Sequence, residues 1–160
     1  MVGAGKTTVG QALSARTGWP YVDNDDLVRK LTGRETSEIF DTDGEDVLHL
    51  AEADAFDDAL GLEPPVIVGV AGALVTDPAH REALREGGHV VWLKARAETL
   101  LKRVESGTGR RADAADPEWL KARIREREPL YASVAAQIVE VDDATPDEIA
   151  EKILAGLPPS

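Results

Sequence analysis

The N-terminal residues carry the first side chains whose types and spacing could do chemistry, since the chain begins MVGAGKTT. Gly5, Lys6 and Thr7 match the end of the pattern G-x-x-x-x-G-K-S/T, which binds nucleotide phosphates. Glycine lets backbone N–H groups close around phosphate oxygens, lysine adds a point charge, and the threonine hydroxyl can ligate magnesium. The pattern favours phosphate binding over its alternative, a glycine-rich turn before a surface helix.

The chain begins inside this pattern. The residues expected to bind the nucleotide are Gly3, Ala4, Gly5, Lys6, Thr7 and Thr8. The first glycine of the pattern would lie before Met1, and so would the strand that leads into the loop. We therefore expect the natural chain to begin about ten residues earlier, which is the length of a strand plus a glycine.

A second group of chemically capable side chains is the acidic cluster YVDNDD at residues 21–26. It follows a predicted strand, and open α/β sheets bind their ligands at the carboxyl ends of parallel strands. Asp23 could hold a magnesium shell, while Asp25 could face a substrate hydroxyl and accept its proton during phosphoryl transfer. The alternative is structural, because Asp23, Asn24 or Asp25 could cap the helix that follows.

The elements that must position these residues alternate between short apolar runs and longer segments of helical period. This alternation predicts βαβ units with a parallel sheet, and hence an α/β fold. The predicted strands are Trp19–Val22, Val66–Val70, His89–Leu93 and Ile138–Val141. The predicted helices are Gly5–Thr17, Asp25–Leu31, two within Glu35–Leu60 that break near Asp43-Gly44, Pro78–Gly87, Ala97–Val104, Pro117–Ala136 and Pro146–Leu154. We expect a single domain over residues 1–160 that lacks its first strand.

Composition narrows the function classes. The 160 residues include 30 acidic and 18 basic side chains, and the net charge of -12 argues against a nucleic-acid partner. The absence of cysteine excludes a disulfide scaffold, a thiolate metal site and a cysteine nucleophile. No apolar run approaches the roughly 18–20 residues that cross a bilayer, and no signal pattern opens the chain. We expect a cytoplasmic monomer with a small-molecule substrate and no membrane partner.

The motifs taken together resemble one family. They are GAGKTTVG, YVDNDDL, TGRETSEIF, the pair Gly44-Glu45, VVWLKA at 90–95 and REPLY at 127–131. The sequence resembles shikimate kinases over nearly its whole length, and a weaker similarity to gluconate kinases is confined mainly to the phosphate loop and the acidic cluster. The resemblance implies the three-layer P-loop kinase fold, with a parallel sheet flanked by helices. It also implies ATP and Mg²⁺ as cosubstrates and transfer of the γ-phosphoryl group to a hydroxyl of a small hydroxy acid, with shikimate as the first candidate.

The resemblance assigns roles residue by residue. Lys6 would hold the β and γ phosphates, Thr7 would ligate magnesium, and Asp23 would lie in the magnesium shell. Asp25 matches the aspartate that faces the substrate hydroxyl. Arg127, which precedes Glu-Pro-Leu-Tyr, matches an arginine that grips the substrate carboxylate.

A mobile lid at residues 106–116 is a further implication of the resemblance. The family carries an arginine followed by proline there, whereas this chain has Arg110-Arg111-Ala112. Arg110 is the better match for the catalytic arginine that reaches the nucleotide and the transferring phosphoryl group, and Arg111 is a substitute. A solvated surface arginine pair is the alternative.

Two departures from the family fall in the predicted acceptor pocket. His49 stands where the family usually has an arginine, and a neutral histidine offers a carboxylate one donor in place of a fixed two-pronged grip. Of three consecutive family glycines, only Gly72 remains in the segment Gly-Val-Ala-Gly-Ala at 69–73. We expect His49 and Gly72 to bind the substrate, although an ordinary helix residue is the alternative for His49. These departures leave open a sugar-acid kinase and a nucleotide-binding pseudokinase that acts through a partner. An NTPase that acts on water is a third alternative, and the lid-like segment Gly107–Arg111 argues against it.

Overall fold

Strands and helices alternate along the chain in the computed structural model, which describes residues 5–103 and 116–158. The strands are β1 (Tyr21–Asp23), β2 (Ile67–Gly69), β3 (Val91–Lys94) and β4 (Gln137–Glu140). The helices are α1 (Lys6–Thr17), α2 (Asn24–Thr32), α3 (Thr36–Asp43), α4 (Glu45–Leu60), α5 (Pro78–Gly87), α6 (Ala97–Arg103), α7 (Pro117–Val134) and α8 (Pro146–Ala155), with a 3₁₀ helix at Gly72–Thr76. The predicted α/β class is confirmed.

The described strands pair in parallel as two separate ladders. β1 pairs with β2, and β3 pairs with β4. Within the described residues, no strand pairing joins β2 to β3, so the single sheet predicted from the sequence is present as two parts. Parallel pairing places Asp23 opposite Gly69, so the carboxyl ends of β1 and β2 lie side by side.

Some element boundaries differ from the sequence predictions. β3 begins at Val91 instead of His89 and continues to Lys94. Ala136 and Gln137 both donate to the Val90 carbonyl, so the residues that lead into β4 contact the residue just before β3. The 3₁₀ helix at 72–76 was not predicted. In contrast, α7 was correctly predicted as one long helix, and it contains Pro129 in its interior.

An apolar cluster fixes α1 against the second ladder. Val9 and Leu13 of α1 are buried together with Leu100 of α6, Leu120 of α7 and Val139 of β4. Burying one such side chain contributes about 1.5–3 kcal/mol. The helix that begins with the predicted phosphate-binding residues therefore rests on a well-packed base.

Two further clusters hold the remaining helices. One joins the 3₁₀ helix to α4 and α7, and its buried members include Phe56, Leu74, Val75, Tyr131 and Val134. The other joins α2, α3 and α4 through Val28, Ile39, Leu48 and Ala55. The two clusters share α4, so this helix connects the segment after β2 to the helix after β1.

Helix α1 approaches β1 closely at Gly10. A Cβ atom on Gly10 would overlap the aromatic ring of Tyr21. The ring is held in place because its hydroxyl donates a hydrogen bond to Asp23 Oδ2 at 2.8 Å. Gly10 is thus required for space.

We predict that Gly10→Ala lowers the free energy of unfolding by about 1–2 kcal/mol. Overpacking costs about 1–3 kcal/mol, and the better helix propensity of alanine returns up to about 1 kcal/mol. Urea unfolding measures the change. Gly88→Ala is the matched control, since a Cβ there meets no atom within 4 Å and its φ of 163° is extended. Equal stability of the two variants would contradict the close packing of α1 on Tyr21.

Candidate active site

The carboxylate of Asp23 connects three elements at the carboxyl end of β1. Its side chain is only 7% exposed. Oδ1 accepts a hydrogen bond from the backbone N–H of Asp25 at 2.8 Å, so Asp23 caps α2. Oδ2 accepts from the hydroxyl of Thr7 at 3.1 Å. The capping alternative for Asp23 is therefore confirmed, and the same carboxylate also contacts the threonine predicted as a magnesium ligand.

The start of α1 has the backbone that the phosphate-loop pattern requires. Gly5 caps the helix with φ of 88° and ψ of 26°, a left-handed conformation that favours glycine. Lys6 Nζ donates to the carbonyl of Val70 at 2.8 Å, directly after the end of β2. The hydroxyl of Thr8 donates to the Gly5 carbonyl at 3.1 Å, which braces the turn. Lys6 and Thr7 thus lie beside the carboxyl ends of β1 and β2.

Tyr21 is a residue of this site that the sequence analysis missed. Its hydroxyl donates to the same Asp23 oxygen that Thr7 contacts. Burial raises the pKa of the Tyr21 hydroxyl, and the hydrogen bond to Asp23 and the charge of Asp23 raise the pKa further. The hydroxyl therefore stays protonated and keeps donating near neutral pH. The available signal was the spacing of two residues on a strand, which places Tyr21 and Asp23 on one face.

The acceptor side of the site is built around Gly72 and α7. The hydroxyl of Tyr131 donates to the Gly72 carbonyl at 3.2 Å. Arg127 lies one turn earlier on α7, and it is 7% exposed. Its Nε has no hydrogen-bond partner among the described residues. Burial raises the pKa of Tyr131, while the charge of Arg127 and its hydrogen bond to Tyr131 lower that pKa. A buried guanidinium with donor capacity left over is suited to bind an anionic group.

The two sides meet at the segment 70–72. The Val70 carbonyl accepts from Lys6, and the Gly72 carbonyl accepts from Tyr131. These carbonyls lie two residues apart, which is at most about 7 Å along an extended chain. The segment therefore connects the predicted phosphate-binding Lys6 to Tyr131, which lies one turn from the predicted carboxylate-binding Arg127.

His49 lies in a charged group at the start of α4. Its Nε2 is 3.5 Å from Glu45 Oε1, and a guanidinium nitrogen of Arg123 is also 3.5 Å from that oxygen. Glu52, one turn after His49, is a buried carboxylate at 8% exposure. Arg123 and Glu52 were missed in the sequence analysis. Arg123 precedes Arg127 by four residues, a spacing that places both on one face of a helix, whereas nothing in the sequence showed that Glu52 is buried.

Several predicted residues lie outside the described part of the chain. They are Gly3 and Ala4 of the phosphate loop, the arginines Arg110 and Arg111, and the lid residues up to 115. Asp116, the last residue of the predicted lid, is described: its carboxylate caps α7 by accepting from the N–H of Glu118 at 3.0 Å.

The donor set around Asp23 fits a magnesium ion. A threonine hydroxyl and a carboxylate, whose oxygens are 3.1 Å apart, are hard oxygen ligands. Among the described residues there is no group of three or more His, Asp or Glu side chains that could hold a metal ion by themselves. Magnesium uses few protein ligands and keeps water and substrate phosphates in its shell.

The site defines the class of P-loop phosphotransferases. Its defining features are a glycine-capped helix start that carries lysine and threonine, and an aspartate beside it at the end of a parallel strand.

In the described part of the chain, no helix has both the length and the apolar character that a membrane crossing requires.

Comparison with known proteins identifies the family within this class. The family model described as Shikimate kinase matches residues 2–158. Shikimate kinase from Francisella tularensis subsp. holarctica (strain FTNF002-00 / FTA) is 35% identical over 95% of this chain and 88% of that protein. Shikimate kinase from Francisella philomiragia is 36% identical over the same shares.

Solved structures agree with the sequence relatives. Shikimate kinase from Acinetobacter baumannii, in complex with shikimate, superposes with a TM-score of 0.86 at 28% identity, covering 96% of this chain and 86% of that one. The enzyme from Aquifex aeolicus has a TM-score of 0.78 at 26% identity, covering 95% and 88%. The chain belongs to the shikimate kinase family, whose members are ATP-dependent phosphotransferases with an alcohol group as acceptor, in aromatic amino acid biosynthesis.

We predict that Tyr21→Phe lowers the free energy of unfolding by about 1.5–3 kcal/mol, because it removes a hydrogen bond to a buried charge. The measurement is urea unfolding at neutral pH. In an Asp23→Asn background the same substitution should cost clearly less, since the charged acceptor is absent. Simple additivity of the two substitutions would show that Tyr21 does not act through Asp23.

Proposed function

We propose that this protein transfers the γ-phosphoryl group of ATP to a hydroxyl of shikimate. The observation that carries the proposal is the segment 70–72, which is bonded by Lys6 at Val70 and by Tyr131, beside the buried Arg127, at Gly72. Lys6, proposed to bind phosphate, and Tyr131, one turn from the proposed carboxylate-binding Arg127, bond to opposite ends of these three residues. A small hydroxy acid bound to Arg127 would present its hydroxyl toward the nucleotide.

On the nucleotide side, Lys6 binds the β and γ phosphates as a point charge. Gly3, Ala4, Gly5 and Thr8 are proposed as further nucleotide-binding residues, and the N-terminal end of α1 adds its positive dipole. Because the whole chain carries a net charge of -12, these groups must supply the local positive potential.

We propose Thr7 and Asp23 as the residues that hold Mg²⁺, Thr7 as a direct ligand and Asp23 in the surrounding shell. When bound, the ion neutralises charge on the phosphates. Tyr21 keeps the Asp23 carboxylate oriented, since its hydroxyl donates to Oδ2 at 2.8 Å.

On the acceptor side, Asp25 orients the substrate hydroxyl and accepts its proton. In the loose transition state of phosphoryl transfer, the hydroxyl loses this proton only late. The hydrogen bond from the Asp25 N–H to Asp23 Oδ1 fixes the backbone of Asp25, which supports this role. Arg127 binds the substrate carboxylate, the backbone at Gly72 approaches the ring, and His49 offers a further donor.

The lid is proposed at residues 106–116 of the single domain 1–160. Its arginine, Arg110 or in its place Arg111, would reach the transferring phosphoryl group when the lid closes. A guanidinium there stabilises the charge that develops in the transition state, and closure keeps water away from the reaction.

We further propose the three-layer fold of P-loop kinases, with one more parallel strand between β2 and β3. Ile67 of β2 and both Val91 and Leu93 of β3 pack against the same apolar cluster, so the two ladders face one core. A strand between them would pair the facing edges.

The test of the activity is ADP release in the presence of shikimate, gluconate or other sugar acids. We expect turnover that depends on shikimate. Turnover with another sugar acid alone would show a sugar-acid kinase, and ATP hydrolysis that no acceptor stimulates would show an NTPase. Nucleotide binding without turnover on any acceptor would favour the pseudokinase.

We predict that Asp25→Asn lowers kcat by about 10²–10⁴-fold, because the acceptor of the hydroxyl proton is lost. The affinity for ATP, measured by calorimetry, should stay within about threefold. The control is Asp26→Asn, which changes an exposed neighbour in the same turn. Unchanged kcat in Asp25→Asn would exclude Asp25 from the proton transfer.

A further inference from the structure

We propose that Arg123 is a second guanidinium that binds the carboxylate of the acceptor, beside Arg127, and that it determines specificity for an acid. This inference rests on the proposed function. Glu45 is proposed as the positioning residue that holds Arg123 in place.

The position of Arg123 is unusual for an arginine on a helix of a small domain. Its side chain is only 18% exposed. The guanidinium lies 4.9 Å from the centre of the Trp119 ring, in a cation–π contact, and 3.5 Å from Glu45 Oε1. These contacts hold the guanidinium between α7 and the start of α4.

Arg123 shares one face of α7 with Arg127 and Tyr131. The three residues follow one another at intervals of four, a spacing that aligns them along a helix. Burial raises the pKa of the Tyr131 hydroxyl, while the positive charges of Arg127 and Arg123 both lower it. The same hydroxyl donates to the Gly72 carbonyl. Arg123 therefore extends the cationic face that begins with the proposed carboxylate-binding residue.

The guanidinium of Arg123 has donors to spare. It carries five N–H donors in a planar fork. Among the described residues its single charged contact is the 3.5 Å approach to Glu45, which is longer than the usual N–H···O hydrogen bond of about 2.7–3.2 Å. A fork with this much donor capacity can bind both oxygens of a carboxylate.

The same glutamate oxygen also lies 3.5 Å from His49 Nε2. His49 and Arg123 therefore occupy one corner of the site. A neutral histidine gives a carboxylate a single donor and no charge, whereas an adjacent arginine gives two donors and a full charge. The geometry places the charge for carboxylate recognition on α7, and the histidine on α4 does not need to supply it.

A purely structural role is the competing explanation. Arg123 could serve only to clamp α4 to α7 through Glu45 and Trp119. The two roles predict different effects of a substitution at Arg123. Loss of a structural clamp lowers the stability of the protein. Loss of a substrate-binding guanidinium lowers the affinity for a charged acceptor and leaves the affinity for an uncharged acceptor unchanged.

The experiment compares wild-type protein, Arg123→Met and Arg125→Met with shikimate and with shikimate methyl ester as acceptors. Arg125 is the matched control, because it is an exposed arginine on the same helix. We expect Arg123→Met to raise the KM for shikimate by about tenfold to hundredfold, since it removes a charge-assisted hydrogen-bonded pair. The KM for ATP and the KM for the ester should change by less than about twofold. Arg123→Lys, which keeps the charge and loses the fork, should recover part of the affinity.

A lower melting temperature of Arg123→Met without a change in the KM for shikimate would overturn the proposal in favour of the clamp. If Arg123→Met fails to fold, the same KM comparison is made with Arg123→Lys and Arg123→Gln. An equal change in the KM for the acid and the KM for the ester would then overturn the proposal. Failure of the proposed function can be told apart from failure of this proposal. Wild-type protein that binds shikimate without phosphorylating it would refute the activity. The dissociation constants of acid and ester for these variants would still test the role of Arg123. Wild-type protein that binds acid and ester equally well would overturn the carboxylate-binding role directly.

Discussion

The buried carboxylate of Asp23 is the group on which the site depends. A carboxylate that is 7% exposed must have its charge compensated by hydrogen bonds, and here each oxygen has partners. One oxygen fixes the first turn of α2, and the other holds Thr7 of α1 and the hydroxyl of Tyr21. The need to satisfy one charge therefore sets the relative position of α1, β1 and α2, and with it the position of Asp25.

The segment after β2 extends this arrangement across the site. It carries no acid or base of its own, and its carbonyls accept from Lys6 on one side and from Tyr131 on the other. Backbone groups are suited to this task because they cannot change rotamer. The helix α7 then adds Arg127 and Arg123 to the same region, on a base that the apolar cluster around Tyr131 keeps packed.

Sequence reasoning identified residues whose chemistry follows from local patterns, and it missed those whose role depends on distant partners. The α1 start at Gly5-Lys6-Thr7 and the cap at Asp23 were both predictable, since loop and capping patterns are short. Tyr21 was overlooked, although its alternation with Asp23 was visible along the strand. Arg123 could be placed on one face with Arg127 from the spacing, but its contact with Glu45 joins residues far apart in the chain, and no local pattern encodes that contact.

Sequence alone was enough for the α/β class, the end of α1 at Thr17, the phosphate-loop residue types and the family, because these depend on periodicity and short motifs. Three features came from the packing of the whole chain: the described strands form two ladders, β3 starts at Val91, and His49 and Arg123 converge on one oxygen of Glu45. The reason is physical: strand pairing and charge pairing are set by which surfaces pack together. That choice depends on the whole core and leaves no signal within a few residues of sequence.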